Sequence, residues 1–574
     1  MNDTVFDPDR IRRINELISA REKFRLDPPK FLPWLFRRCT VRVLLVADGF
    51  IYFDDSDFGL GEFLRSLSQS PLFVRFEVTC AHRAQVSSTQ SGAGRPGVVR
   101  TINNFKFDDA GHFGTDLYDE VWLFGAETSS LTKKGTWTNR PPDTELRAIS
   151  EFMDAGHGVF ATGDHGSLGA ALSGFVPRVR SMRRWFDDPG GGPLGELVAP
   201  DMTSAYRRDT NRPGVSGTFD FDDQSDNVPQ PILPVWQRRP GPGFFSIRWP
   251  HPLLCGSTGA IEVLPDHPHE GECVERRDIP TDQEFDFAGY HVVEYPNVSG
   301  SHPLPSAVAH STVLPNNAHT GKHATVSASF VAISAYDGGD AGVGRVVTDA
   351  TWHHFININL VGMQSPPNGH PEWDLGFLSP GGEHHLRAIE EYFRNIAMWI
   401  APADRRRCMF RNALWYATWG ERLVEAVAPV KPLDQVTSVD FLHIGRHAFD
   451  SIGRFAGRCQ TLHWSLDVLK DVLAKKFYER VLPVPIPELP DRVPGPPLPW
   501  LREDILVELA LGGAVMALRD AYPDINEVDP EEAAAGAPGL VRRGAAIALR
   551  SARESVTEAQ GELEDLASAL GRVD

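Results

Sequence analysis

Val41-Arg-Val-Leu-Leu-Val-Ala47 is an almost unbroken apolar run, the pattern of a parallel strand buried on both faces. It leads into Asp48-Gly49 and an acidic, aromatic loop, Phe50-Ile-Tyr-Phe-Asp-Asp-Ser-Asp57, before a helix predicted around Gly61–Leu67. Phe73-Val-Arg-Phe-Glu-Val-Thr79 alternates apolar and polar positions and predicts a second strand; Tyr118-Asp-Glu-Val-Trp-Leu-Phe-Gly125 predicts a third. The Ser-, Gln- and Gly-rich stretch 84–98 predicts a loop between them. Glu145–Asp154 is apolar at helical spacing and stops at Gly156, a helix C-terminal signal. Val159–Thr162 is then a short strand. Gly163-Asp164-His165-Gly166 predicts a tight turn, and the small residues of Leu168–Leu172 begin the next helix. Strands and helices that alternate in this way indicate an α/β domain built on a parallel sheet.

The pattern breaks between about 174 and 250, where Pro, Gly, Arg and Asp dominate, and an irregular insertion is expected there. Order resumes at His251-Pro252-Leu253. Ala324–Ile333 and Gly344–His353 predict two late strands, and the α/β domain, begun at residue 38, is expected to close near Met363. Residues 1–37, a helix-like segment followed by an aromatic patch, are expected to form an arm. From 364 to 574 the pattern is helical, with Leu386, Ile389, Phe393, Ile396 and Ile400 at helical spacing and a proline-rich linker over 483–499.

Composition narrows the function classes. A net charge of −19 and a pI near 5.5 argue against a nucleic-acid or anionic-membrane surface as partner. No apolar run approaches the ~20 residues that a membrane helix requires. Six cysteines lie far apart with no CxxC pair, which reads as reduced intracellular thiols; with no signal-like N-terminus, a cytoplasmic protein is expected.

The strand ending in Gly163-Asp164-His165-Gly166, then His251-Pro252-Leu253 with Gly256, then Gly344-Arg345-Val346 with His353 seven residues on, occur in order. This set resembles the ThuA-like (trehalose-utilisation) family of the class I glutamine amidotransferase-like superfamily over roughly residues 40–362. The resemblance implies a flavodoxin-like parallel sheet with a site at its carboxyl edge, and it tilts the substrate towards a carbohydrate or other polyol. The superfamily's cysteine nucleophile has no counterpart, because His165 stands at the elbow. Ser167 is not centred in a Gly-x-Ser-x-Gly turn, so a serine hydrolase is not expected either.

Imidazole and carboxylate remain at the proposed edge: Asp48, Asp164, His165, Asp349, His353 and His354. Asp164–His165 facing His353 would form an acid–base set for hydrolysis or elimination of a small-molecule substrate. Strand alternation lets only one of His353 and His354 face a shared pocket, and the resemblance selects His353. Asp48, Asp349 and Trp352 are read as substrate-binding, with Phe50, Tyr52 and Phe53 also placed to stack on a sugar or simply to pack. Arg178 and Arg183, two of four arginines in seven positions, either form an anion pocket or pair with local acids such as Asp187 and Asp188. The same histidines (His165, His353, His354) could ligate a divalent metal. The Asp266–Glu272 stretch with His267 and His269 reads as a surface loop with further ligand types. The rival to an enzyme is a non-catalytic ligand-binding or assembly module that works through its helical C-terminal region, as a homo-oligomer or with a protein partner.

Overall fold

The computed structural model describes residues 38–570 except 72, 134–135, 186–227, 241–245, 267–270, 282, 299–301, 314, 317–323, 325, 363–375, 379–380, 421–430, 475–502 and 524–528. The N-terminal arm, most of the insertion, His267 and His269, and the proline-rich linker lie outside the described residues. The chain divides into two compact units. One comprises Thr40–Arg238 and Arg248–Arg406, the other Met1–Cys39, Arg239–Ile247 and Arg407–Asp574.

The first unit is α/β. Its strands are β1 (Cys39–Ala47), β2 (Val74–His82), β3 (Val98–Ile102), β4 (Glu120–Phe124), β5 (Gly158–Thr162), β6 (Leu233–Pro234), β7 (Ser306–Val313), β8 (Ala328–Tyr336) and β9 (Val346–Asp349). They form one sheet in the order β3-β2-β1-β4-β5-β9-β8-β7-β6. The pairs β2–β3, β1–β4, β4–β5 and β5–β9 are parallel; β8 pairs antiparallel with β9 and with β7, and β6 pairs antiparallel with β7. The sheet is thus the expected mostly parallel, flavodoxin-like one, with an added antiparallel flank. β4 and β5 are buried along their whole length, which explains why their sequences are apolar runs instead of alternations.

Helices α1 (Gly61–Ser68), α2 (Asp143–Asp154), α3 (Asn357–Val361) and α4 (Glu383–Ile400) also belong to this unit. The unit therefore runs on past Met363. Helix α4 presents Leu386, Ile389, Phe393, Ile396 and Ile400 as a buried stripe. Its last turn lies so near β5 that a Cβ on Gly158 would collide with the Ile400 carbonyl.

Three local readings change. β9 stops at Asp349, and His353 sits in a 3-10 turn, Trp352–His354, instead of a strand. The turn forms because Asp349 Oδ1 accepts the Thr351 N–H (3.2 Å) and Thr351 Oγ1 accepts the His353 N–H (3.1 Å). Strands β6 and β7 have no clear strand pattern in the sequence, because Pro231 and Pro234 bracket Leu233 and small polar residues interrupt Ser306–Val313. The expectation of six reduced thiols is also overturned: Cys39 and Cys408 form a disulfide with Cα atoms 5.9 Å apart, while Cys80, Cys255, Cys273 and Cys459 are free and buried. A separation of 369 residues gives no pairing signal in a sequence.

The second unit is helical. The chain enters it through α5 (Ala403–Trp415) and continues through α6 (Ser438–Ala456), α7 (Arg458–Val472), α8 (Glu503–Ala521) and α9 (Pro530–Leu570). Gly512 and Gly513, mid-helix in α8, face Phe441 of α6 and Gly544 of α9 so closely that a Cβ at either would strike backbone. The helix-propensity cost of the glycines is offset by this close approach. Among the described residues no helix is long and apolar enough to cross a membrane.

Candidate active site

Because β1 and β2 wind one way and β4, β5 and β9 the other, the sheet has a switch point between β1 and β4, and ligands of open α/β sheets bind at the carboxyl ends beside such a point. Asp48 follows β1, Asp164 follows β5, and Asp349 ends β9. All three predicted carboxylates therefore stand at one edge of the sheet.

Asp164 is fully buried at the centre of the group. Its N–H donates to the Leu168 carbonyl (3.0 Å), which closes the turn, and Gly166 takes a left-handed φ of 60°. Its Oδ2 lies 2.8 Å from His165 Nδ1 and 3.6 Å from His353 Nε2, and its Oδ1 accepts from Thr351 Oγ1 (3.0 Å). His353 Nδ1 is 2.9 Å from Asn359 Oδ1. An amide oxygen only accepts, so that Nδ1 carries the proton and Nε2 is the atom turned to Asp164. One carboxylate thus serves two imidazoles. The His165 side chain is 18% exposed and the His353 side chain 1%, so His165 is the member that meets solvent.

The other candidates take different places. Asp349 and His354 form a second, fully buried pair (Oδ1 to Nδ1, 2.7 Å), and Asp349 Oδ2 accepts from Tyr392 Oη at 2.8 Å. Burial beside the carboxylate raises the Tyr392 phenol well above its usual range. His353 and His354 do face apart, though from a 3-10 turn and not by strand alternation. Asp48 is 2% exposed and spans β1 and β4: its Oδ1 accepts the N–H groups of Ala126 (2.5 Å) and Glu127 (3.0 Å). Burial pushes its carboxyl up to about 6, against the opposing effect of those two bonds.

Both arginines bond groups of the protein itself among the described residues. Arg178 is buried and bonds Asp154 (2.6 Å) and the carbonyls of Glu294 (3.0 Å) and Val293 (3.1 Å). Arg183 is buried under the elbow, where Nη2 donates to the carbonyls of Asp164 and Ala350, both at 2.6 Å, and Nε to that of Asp349 at 3.3 Å. It ties the end of β5 to the end of β9. Asp187 and Asp188 lie outside the described residues.

Beside the group lies an open depression of about 610 Å³ lined by Phe50, Tyr52, Ser56, Asp57 and Phe58. Phe50 and Phe58 meet the Trp352 ring at 5.6 and 5.9 Å, and Trp352 in turn packs on His353 at 4.0 Å. Trp352 is only 3% exposed and supports the depression from behind, while Phe53 belongs to the core. Tyr52 stacks on His82 at 5.7 Å. Asn357 holds the loop in shape: Nδ2 donates to the carbonyls of Asp54 (3.0 Å) and Ser56 (2.7 Å), and Oδ1 accepts the Glu62 N–H (2.9 Å). Thr351, Asn357, Asn359 and Phe58 complete the site without any signal of their own in the sequence. None carries a motif, and the only hint was the polar Asn-Ile-Asn run soon after the two histidines.

Among the described residues no group of three or more His, Cys, Asp or Glu converges as a metal site. His354 faces Asp349, so the three candidate histidines do not share a centre. No family model, curated protein or solved structure matches the chain.

Proposed function

We propose that the protein is a ThuA-like enzyme that acts on a small polar substrate, of carbohydrate or polyol class, by acid–base hydrolysis or elimination. The observation that supports this reading is the shared Asp164 carboxylate between His165 and His353, next to an aromatic depression at the carboxyl edge of the sheet. Asp164 accepts the Nδ1 proton of His165, which selects the tautomer whose Nε2 is basic. His165 then takes a proton from water, or from a carbon acid in an elimination, and returns it to the leaving oxygen. His353, buried behind Asp164 and fixed by Asn359, stabilises the carboxylate and holds its orientation. Phe50 and Phe58 offer apolar faces to a sugar ring, and Asp57 and the Ser56 hydroxyl oxygen, whose proton goes to Asp54, offer acceptors to its hydroxyls.

The test is turnover of a panel of glycosides, sugar acids and polyol esters by the wild type and by His165→Ala. Loss of activity by about 10²–10⁴-fold is expected in the variant. Equal turnover by both proteins would remove His165 from the chemistry. A wild type that neither turns over nor binds any panel member, by saturation-transfer NMR, would remove the substrate class.

A further inference from the structure

Helix α9 is 41 residues long, and only its first half is packed. Ala533, Ala537, Val541, Ala545 and Ala548 are buried, whereas every residue from Arg553 to Ser568 is exposed. A solvated helix end should be polar all round. This one carries Leu549, Ala552, Val556, Ala559, Leu563 and Leu566, alternately three and four residues apart, and Val556, Leu563 and Leu566 are 52%, 61% and 54% exposed. That is the a/d pattern of a coiled-coil seam, sustained from Leu549 to Leu566, about two and a half heptads.

Two further features say what covers it. Charge is polarised along the segment, with Arg550 and Arg553 beside a lone Glu554 at its start and Glu558, Glu562, Glu564 and Asp565 towards its end. A parallel pair of these helices would set acid beside acid. An antiparallel pair sets the basic end of each beside the acidic end of the other. Size alternates in the same sense. In an antiparallel alignment Val556 and Leu563 stand level with Ala559 and Ala552 of the second copy, so large residues meet small ones in the middle of the seam, while Leu566 meets Leu549 at each end. We propose that the exposed half of α9 is a dimerisation seam, occupied by the same segment of a second copy of this chain in antiparallel orientation.

Sedimentation equilibrium of the full chain across micromolar concentrations should give a monomer–dimer equilibrium. The exposed substitutions Leu563→Glu and Leu566→Glu together should leave only monomer, with the thermal melt unchanged because neither side chain packs within its own unit. Orientation is read from a spin label on Ser568→Cys, which reacts selectively because the free native cysteines are buried. Antiparallel pairing about the middle of the seam sets the two labels roughly 30 Å apart by the helical rise, and parallel pairing sets them at about the interaxial distance. A chain monomeric at every concentration, a dimer indifferent to the double substitution, or a short label distance would each overturn the proposal.

Discussion

Asp48 shows how a sheet-edge carboxylate can serve the scaffold. Its carboxyl is raised from its ordinary 3.8 to about 6 by burial, so the native state keeps a proton that the unfolded chain has lost between about pH 4 and pH 6. Stability therefore falls as pH rises through that window, by about 3 kcal/mol, and stays lower above it. Asp48→Asn keeps an oxygen for the Ala126 and Glu127 N–H groups and removes the titration. In urea denaturation the variant should gain on the wild type from pH 4 to pH 7; parallel curves would refute this. Arg183 is the opposite case. Its guanidinium is fully buried, with burial lowering its pKa and nearby Cys273, Asp164 and Asp349 opposing that. Arg183→Met would leave the carbonyls of Asp164 and Ala350 without their donor, and a loss of about 3–5 kcal/mol is expected.

Among the elements, the loop before α1 and the short helix α3 act as a unit through Asn357. Asn357→Ala should loosen the Phe50–Phe58 loop; on the proposed function it should raise KM about tenfold with kcat little changed, because the loop forms the depression and not the histidine pair. A fall in kcat alone would place Asn357 in the chemistry instead. Helix α4 belongs to the sheet because Gly158 lets the Ile400 carbonyl approach β5. Gly158→Ala must push that helix away and should cost roughly 2–4 kcal/mol, measured as a drop in the denaturation midpoint.

At the scale of the whole chain, the Cys39–Cys408 bond joins positions 369 residues apart and removes the thiol argument for a reducing compartment. Ellman titration of the denatured protein should find four thiols instead of six. Cys39→Ser should lower stability by about 2–4 kcal/mol, since the unfolded chain regains the entropy of that loop. An unchanged melt would show that the bond contributes nothing to the fold.

The parallel strands and their helices were legible because their signals are local. Val41–Ala47, Tyr118–Gly125 and Val159–Thr162 are short, mostly apolar runs of strand length, and Gly156 and Gly163 punctuate the chain at the positions of turns. The positions of Asp164 and His165 followed from the same logic, since a strand that ends in a tight turn projects what comes next. What required the folded molecule was everything settled between distant segments. Thr351 and Asn359 orient the histidines, Arg183 joins two strand ends, Asn357 shapes a loop some three hundred residues earlier in the chain, and Cys39 finds Cys408. A hydrogen bond or a disulfide leaves no periodicity in either of the segments it joins. Only the geometry that brings them together reveals it.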